Sequence, residues 1–156
     1  MMSGSSWKDA FPLLLFVGGC LIVGFSSSLL SDSAGGYTGL DMPPFSPPGW
    51  LFPVAWVVLY ILMGLSIWSV YLKGGDLAFY ILFCIQLALN FAWTPVFFGM
   101  EAMGAALVIL VGMFACTLLA TLVAWRVNPR AGMLLVPYLA WMMYAMYLNG
   151  GALVLN

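Results

Sequence analysis

The sequence contains no histidine and few charged residues, and both scarcities exclude classes of function. Lys, Arg, Asp and Glu make up 6% of the chain, against about 25% in a typical soluble domain. A soluble globular protein is therefore excluded. A disordered chain is excluded too, because disorder requires low hydrophobicity and high net charge. The net charge is −1 and there is no basic cluster, so we expect no nucleic-acid partner.

The absence of histidine also limits the chemistry. A Ser-His-Asp triad, a His-ligated haem and an ordinary zinc site all require that residue. Cys20, Cys84 and Cys116 lie in different apolar segments without a C-x-x-C spacing. We expect them to be small packing residues, with no disulfide framework and no metal site.

Long apolar runs, in contrast, are abundant. About 20 apolar residues cross a bilayer as an α-helix, and the period-2 alternation of a membrane β-strand is absent. The sequence therefore predicts an all-α membrane protein, a bundle of five transmembrane helices in a single domain, 1–156. The predicted helices cover residues 11–30, 50–72, 77–98, 102–125 and 131–153. The first run is too long for a signal peptide, and no A-x-A-like cleavage site follows it.

The positive charges predict the orientation. Five spans place the N-terminus, the second loop and the fourth loop on one side of the membrane. All four cations lie on that side: Lys8, Lys73, Arg126 and Arg130. The positive-inside rule then places the N-terminus on the cytoplasmic-like side and the C-terminus opposite.

The first loop, residues 31–49, is long and rich in proline. Most connections between helices need about 2–8 residues, and long loops are frequently lids or binding elements. We predict that this loop is a lid. Its contact residues, with the first residue of the next predicted helix, are Phe45, Pro47, Pro48 and Trp50.

Polar and aromatic residues recur at helical spacing on three helices. In helix three one stripe cannot face lipid, because its amides would leave hydrogen bonds unmade. That stripe is Gln86, Asn90, Trp93 and Phe97. Matching stripes lie on helix two (Phe52, Trp56, Tyr60, Met63) and on helix five (Tyr138, Trp141, Ala145, Leu148). Together they predict either an interior ligand cavity or a filled core with hydrogen bonds between helices.

A second stripe on helix three consists of small residues. Cys84, Ala88 and Ala92 lie almost opposite the polar stripe. Small residues at this spacing allow two helix backbones to approach closely.

Three segments together resemble the TspO/MBR family, the translocator proteins or tryptophan-rich sensory proteins. They read SPPGWLFPVAWVVLYILMG (46–64), QLALNFAWTPVFFG (86–99) and LLVPYLAW (134–141). The resemblance implies a five-helix homodimer with a cavity that opens toward the first loop. It implies that the cavity binds porphyrins and other hydrophobic small molecules, with no required cofactor. The dimer surface would be the Cys84-Ala88-Ala92 face.

The resemblance also assigns roles by position. Trp56 and Trp141 match two tryptophans associated with ligand contact and porphyrin chemistry. Asn90 and Gln86 match polar pocket positions, and Ala145 and Leu148 match lining positions. The chain departs from the family pattern in the first loop, which lacks the usual lysine and tryptophans. No cation follows Tyr147, so the motif associated with cholesterol is absent.

Three functions are compatible with these observations. The first is a sensor, scavenger or carrier of tetrapyrroles. The second is an enzyme that degrades porphyrin in light, with Trp56 and Trp141 as redox-active groups. It ranks lower, since the core offers no general acid or base. The third is an interaction protein whose interior is packed shut.

Overall fold

The computed structural model describes residues 6–29 and 39–156. These residues form five α-helices and no strand. The helices are α1 (Ser6–Leu29), α2 (Leu51–Tyr71), α3 (Leu77–Thr94), α4 (Met103–Val127) and α5 (Pro129–Leu155). A π-helical turn, Pro95–Gly99, continues α3. The predicted five-helix membrane bundle is thus confirmed, and all five helices contain segments long and apolar enough to cross a membrane.

Local sequence explains where several helices begin and end. The Asp76 carboxylate accepts a hydrogen bond from the Phe79 amide at 2.9 Å and caps α3. Asn128 accepts from the Arg130 amide at 3.2 Å, and Pro129 follows at the first helical position of α5. Pro95 has no N–H to donate, so the regular α3 pattern gives way there to the π-helical turn.

The predicted boundaries differ from the observed ones by up to five residues. The largest difference is in α1, which begins at Ser6 rather than at residue 11. Charged and polar residues at a membrane-span end can still be helical, and the hydropathy pattern does not record this. Residues 31–38 of the predicted lid lie outside the described residues.

The helices close into a ring in which α2 and α3, although consecutive in the sequence, are not adjacent. Going round the ring, α1 packs on α2, α2 on α5, α5 on α4, α4 on α3 and α3 on α1. Most buried side chains come from α2, α3, α4 and α5, while α1 contributes Cys20 and Ser27. We call the end that carries residues 39–50 and the Met100–Ala102 turn the loop end. The other end carries Lys73, Arg126 and Arg130, and we call it the basic end.

Candidate functional site

Aromatic side chains of α2 and α5 meet inside the bundle, toward the middle of the two helices. Trp56 and Tyr60, one turn apart on α2, stack with ring centroids 5.5 Å apart. The Trp141 ring from α5 meets the Trp56 ring edge-on at 6.3 Å. Tyr138 also approaches Trp56 edge-on at 6.3 Å. Both indoles are only partly buried, so part of each ring is accessible from outside the cluster, although Tyr60 already covers one face of Trp56.

A chain of hydrogen bonds lies beside the aromatic cluster and connects three helices. The Tyr60 hydroxyl donates to Oδ1 of Asn90 at 2.6 Å. The Asn90 amide nitrogen donates to the Tyr138 hydroxyl at 2.9 Å. That hydroxyl donates in turn to Oε1 of Gln86 at 3.1 Å. All four side chains are buried, so α3 presents its two amides to α2 and α5 away from lipid.

One donor of this network has no partner among the described residues. The Gln86 side chain is only 1% exposed, so its Nε2 cannot bond to bulk water, and it has no acceptor among the described residues. An unsatisfied buried donor costs about 1–3 kcal/mol. A carbonyl or carboxylate oxygen of a ligand, or an ordered water, would relieve this cost. The neighbouring Met113 of α4 lies with its sulfur 3.3 Å from the Tyr138 hydroxyl, which brings a fourth helix to the network.

The network contains two phenols and two amides, all neutral at pH 7. No described residue of the network is a carboxylate or an ammonium group. It can therefore orient a ligand by hydrogen bonds.

Trp93 and Phe97 belong to a second cluster closer to the loop end. Their rings stack at 5.1 Å, and both side chains are buried. The Trp93 indole N–H donates to Oδ1 of Asn149 at 3.3 Å. Nδ2 of Asn149 donates to the Met103 carbonyl at 2.9 Å. These contacts join α3, α4 and α5, and Asn149 is the member that helical periodicity did not indicate.

The described part of the first loop lies across the end of α5. The Tyr144 hydroxyl donates to the Phe45 carbonyl and the Tyr147 hydroxyl to the Pro44 carbonyl, each at 2.7 Å. The Asn156 side chain accepts from the Asp41 amide and donates to the Asp41 carbonyl, each at 3.0 Å.

Close packing accompanies these hydrogen bonds. Pro43 is buried in the loop and lies directly over Gly151 of α5. A Cβ at Gly151 would come within 2.4 Å of the Pro43 ring, so only glycine permits this approach. The loop is therefore fastened to α5 by both hydrogen bonds and packing.

The structure separates the predicted site residues into three groups. The first comprises the residues of the aromatic cluster and its network: Trp56, Tyr60, Gln86, Asn90, Tyr138 and Trp141. Trp93 and Phe97 form the second cluster. Two further predicted residues lie on α5 outside these clusters: Leu148 is buried and Ala145 is partly buried. In the third group, from the loop, Phe45 is 90% and Trp50 67% exposed, so neither is part of the buried clusters.

The remaining predicted residues lie at the surface or close to it. Pro48 is exposed and Pro47 partly buried in the loop. Cys84 and Ala88 are exposed on α3, and Ala92 is partly buried. The small-residue stripe therefore lies on the outside of the bundle, opposite the amides.

Comparison with known proteins identifies the family to which the chain belongs. The model of the TspO/MBR family matches residues 13–155. The chain belongs to the TspO/MBR family. It is an integral, multi-pass membrane protein with five candidate membrane-spanning helices, and the resemblance seen in the sequence is confirmed.

Bacterial and animal members of the TspO/MBR family are similar to this chain over most of their length. The tryptophan-rich protein TspO of Chlorobaculum tepidum is 40% identical, over 96% of this chain and 98% of its own. A tryptophan-rich sensory protein of Cereibacter sphaeroides is 39% identical, over 92% and 90% respectively. The translocator protein of Sus scrofa is also 39% identical, over 92% and 87%.

Proposed function

We propose that this protein binds porphyrins or related tetrapyrroles against the Trp56–Trp141 cluster and acts as a sensor, scavenger or carrier. Membership of a family whose members are named sensory and translocator proteins supports a sensing or transport role. The observation that carries the proposal is the junction of two partly buried indoles with a buried network of neutral donors and acceptors.

The chemistry of this junction suits a flat, largely apolar ligand with few polar atoms. Ring faces of Trp56 and Trp141 supply stacking surface. The Gln86 amide beside the cluster has a buried donor without an acceptor among the described residues, and a ligand acceptor that reached it would satisfy that donor. Because the network consists of phenols and amides, ligand entry does not require desolvation of an ionised protein side chain there.

Protoporphyrin titration of the purified protein in detergent tests the proposal. Quenching of tryptophan fluorescence is expected to saturate at micromolar ligand. Trp141→Phe replaces the indole with a smaller aromatic ring. We expect the Kd to rise about threefold to tenfold, which corresponds to the free energy of one aromatic pair. The matched control is Trp125→Phe, at an exposed position near the basic end.

The Kd rather than the quenching amplitude is compared, since each variant also lacks one fluorophore. An equal Kd in wild type, Trp141→Phe and Trp125→Phe would remove the aromatic cluster as the site. Absence of saturation in the wild-type protein would contradict porphyrin binding, while family membership and fold would stand.

We propose further that two copies of the chain pair through the Cys84-Ala88-Ala92 face. Ala88→Leu should prevent close helix approach and leave a monomer of 16.9 kDa protein mass. Light scattering with correction for detergent measures the mass. Val108→Leu, on the exposed surface of α4, is the control. A monomeric wild type, or a dimeric Ala88→Leu variant, would refute this face.

We also propose that the loop end lies opposite the cytoplasmic-like side of the membrane. Labelling of the introduced thiol in Asn156→Cys from each side of the membrane tests this orientation.

A further inference from the structure

A cleft of about 570 Å³ opens at the loop end, apart from the aromatic cluster. Its volume is within the range of about 300–1,000 Å³ that small-molecule sites occupy. The lining residues come from the first loop, the Met100–Ala102 turn and the facing ends of α4 and α5: Leu40, Glu101, Met103, Gly104, Leu153 and Asn156. None of them belongs to the network around Asn90.

The lining is divided between apolar side chains and one carboxylate. Leu40, Met103 and Leu153 supply the apolar wall. Glu101 supplies the charge, and its backbone has φ 52°, in the left-handed region that side-chain-bearing residues rarely adopt. The Asn156 side-chain amide is already bonded to the Asp41 backbone, and Glu101 is the charged side chain among the lining residues.

No lysine or arginine of the described residues lies at this end of the bundle. Arg126 is 23 positions beyond Met103, the first residue of α4, which corresponds to roughly 35 Å along the helix. That distance exceeds the Debye length of about 8 Å at physiological ionic strength. Asp41, next to Leu40 in the chain, adds a second carboxylate near the cleft. A ligand with a cationic group would therefore complement the negative charge of the cleft.

We propose that this cleft binds an amphiphilic amine, with its protonated nitrogen at Glu101 and its apolar chain against Leu40, Met103 and Leu153. Gly104 leaves the floor open for the chain, since a Cβ there would meet only Leu153 Cδ1, at 4.0 Å. Binding here does not depend on the porphyrin site.

The test uses the full-length protein in phosphatidylcholine nanodiscs, with dodecylamine as probe and dodecanol as its neutral counterpart. A ligand that binds the native state raises the unfolding temperature with concentration, which yields an apparent Kd. Dodecylamine is expected to bind about fivefold tighter than dodecanol, as a partly exposed ion pair allows. Glu101→Gln should abolish that difference and leave the porphyrin Kd unchanged.

A second variant fills the cleft without threatening the fold. Gly104→Leu adds a good helix former to α4 and places its side chain in the open space, so both probes should bind more weakly while the unliganded protein remains folded. Discs that contain phosphatidylethanolamine distinguish the source of the amine. A higher unfolding temperature for the wild type, but not for Glu101→Gln, would identify a lipid headgroup as the occupant.

Equal Kd values for dodecylamine and dodecanol in the wild-type protein would overturn the proposal. So would a preference for dodecylamine that persists in Glu101→Gln. If both probes bind Gly104→Leu as they bind the wild type, the amine site lies elsewhere.

Discussion

Asn90→Leu is expected to lower the free energy of unfolding by about 2 kcal/mol, a fall of roughly 4–8 °C in the unfolding temperature. Asn90 is the residue that accepts from Tyr60 and donates to Tyr138. Leucine fills similar space but breaks both bonds and leaves two buried hydroxyls without this partner. Interhelical hydrogen bonds in membranes average about 0.6 kcal/mol, with values up to about 1.7. The loss of stability should therefore come mainly from burying the two hydroxyls without Asn90 as their partner.

Thermal unfolding in one detergent measures the effect, with Ile85→Leu on the exposed face of α3 as control. Tyr60→Phe retains the stack on Trp56 and removes only the hydroxyl. In a double-mutant cycle, Tyr60→Phe and Asn90→Leu should be less damaging together than the sum of their separate effects. Strict additivity would mean that the 2.6 Å contact contributes nothing to stability.

Gly64→Ala is expected to be at least as damaging, at about 2–3 kcal/mol, the upper part of the range for overpacking. A Cβ at this position would lie 2.5 Å from the Cα of Val17 and 2.8 Å from its amide nitrogen. Backbone atoms cannot rotate away as a flexible side chain can, so α1 as a whole must shift from α2. The affected pairing is the main contact that α1 makes within the bundle.

The same helix pair provides the control. A Cβ added at Gly18 or Gly19 on α1 would meet no atom of the described residues within 4 Å. Gly18→Ala should therefore be neutral or stabilising, since alanine is the better helix former by about 1 kcal/mol. Unfolding temperatures of the two variants are measured side by side. A Gly64→Ala protein as stable as Gly18→Ala would show that α1 adjusts without cost.

Much of the interior could be predicted from helical periodicity. The stripe that contains Gln86 and Asn90 cannot face lipid, and both amides are buried as that argument requires. Tyr60 and Tyr138 follow from the same spacing on their own helices. Their pairing with Asn90 was not predictable, because it depends on how far each helix is rotated and shifted along its axis.

The loop end was predicted less well, for a physical reason. Tyr144 and Tyr147 donate to backbone carbonyls of the loop, and a carbonyl has no signature in the sequence. Asn149 and Asn156 lie near the end of a helix, where an asparagine is equally compatible with a solvated terminus. The cleft was beyond prediction as well, since its lining comes from three segments that are distant along the chain.

The hydrogen bonds that hold the loop to α5 end on its backbone, and this has a consequence for how the loop can vary in sequence. Tyr144, Tyr147 and Asn156 bond to main-chain atoms of Phe45, Pro44 and Asp41. Any residue provides such a carbonyl, so these hydrogen bonds do not specify the side chains of the loop. Substitutions at exposed loop positions such as Phe45 can therefore change the surface of the loop while these hydrogen bonds to α5 stay in place.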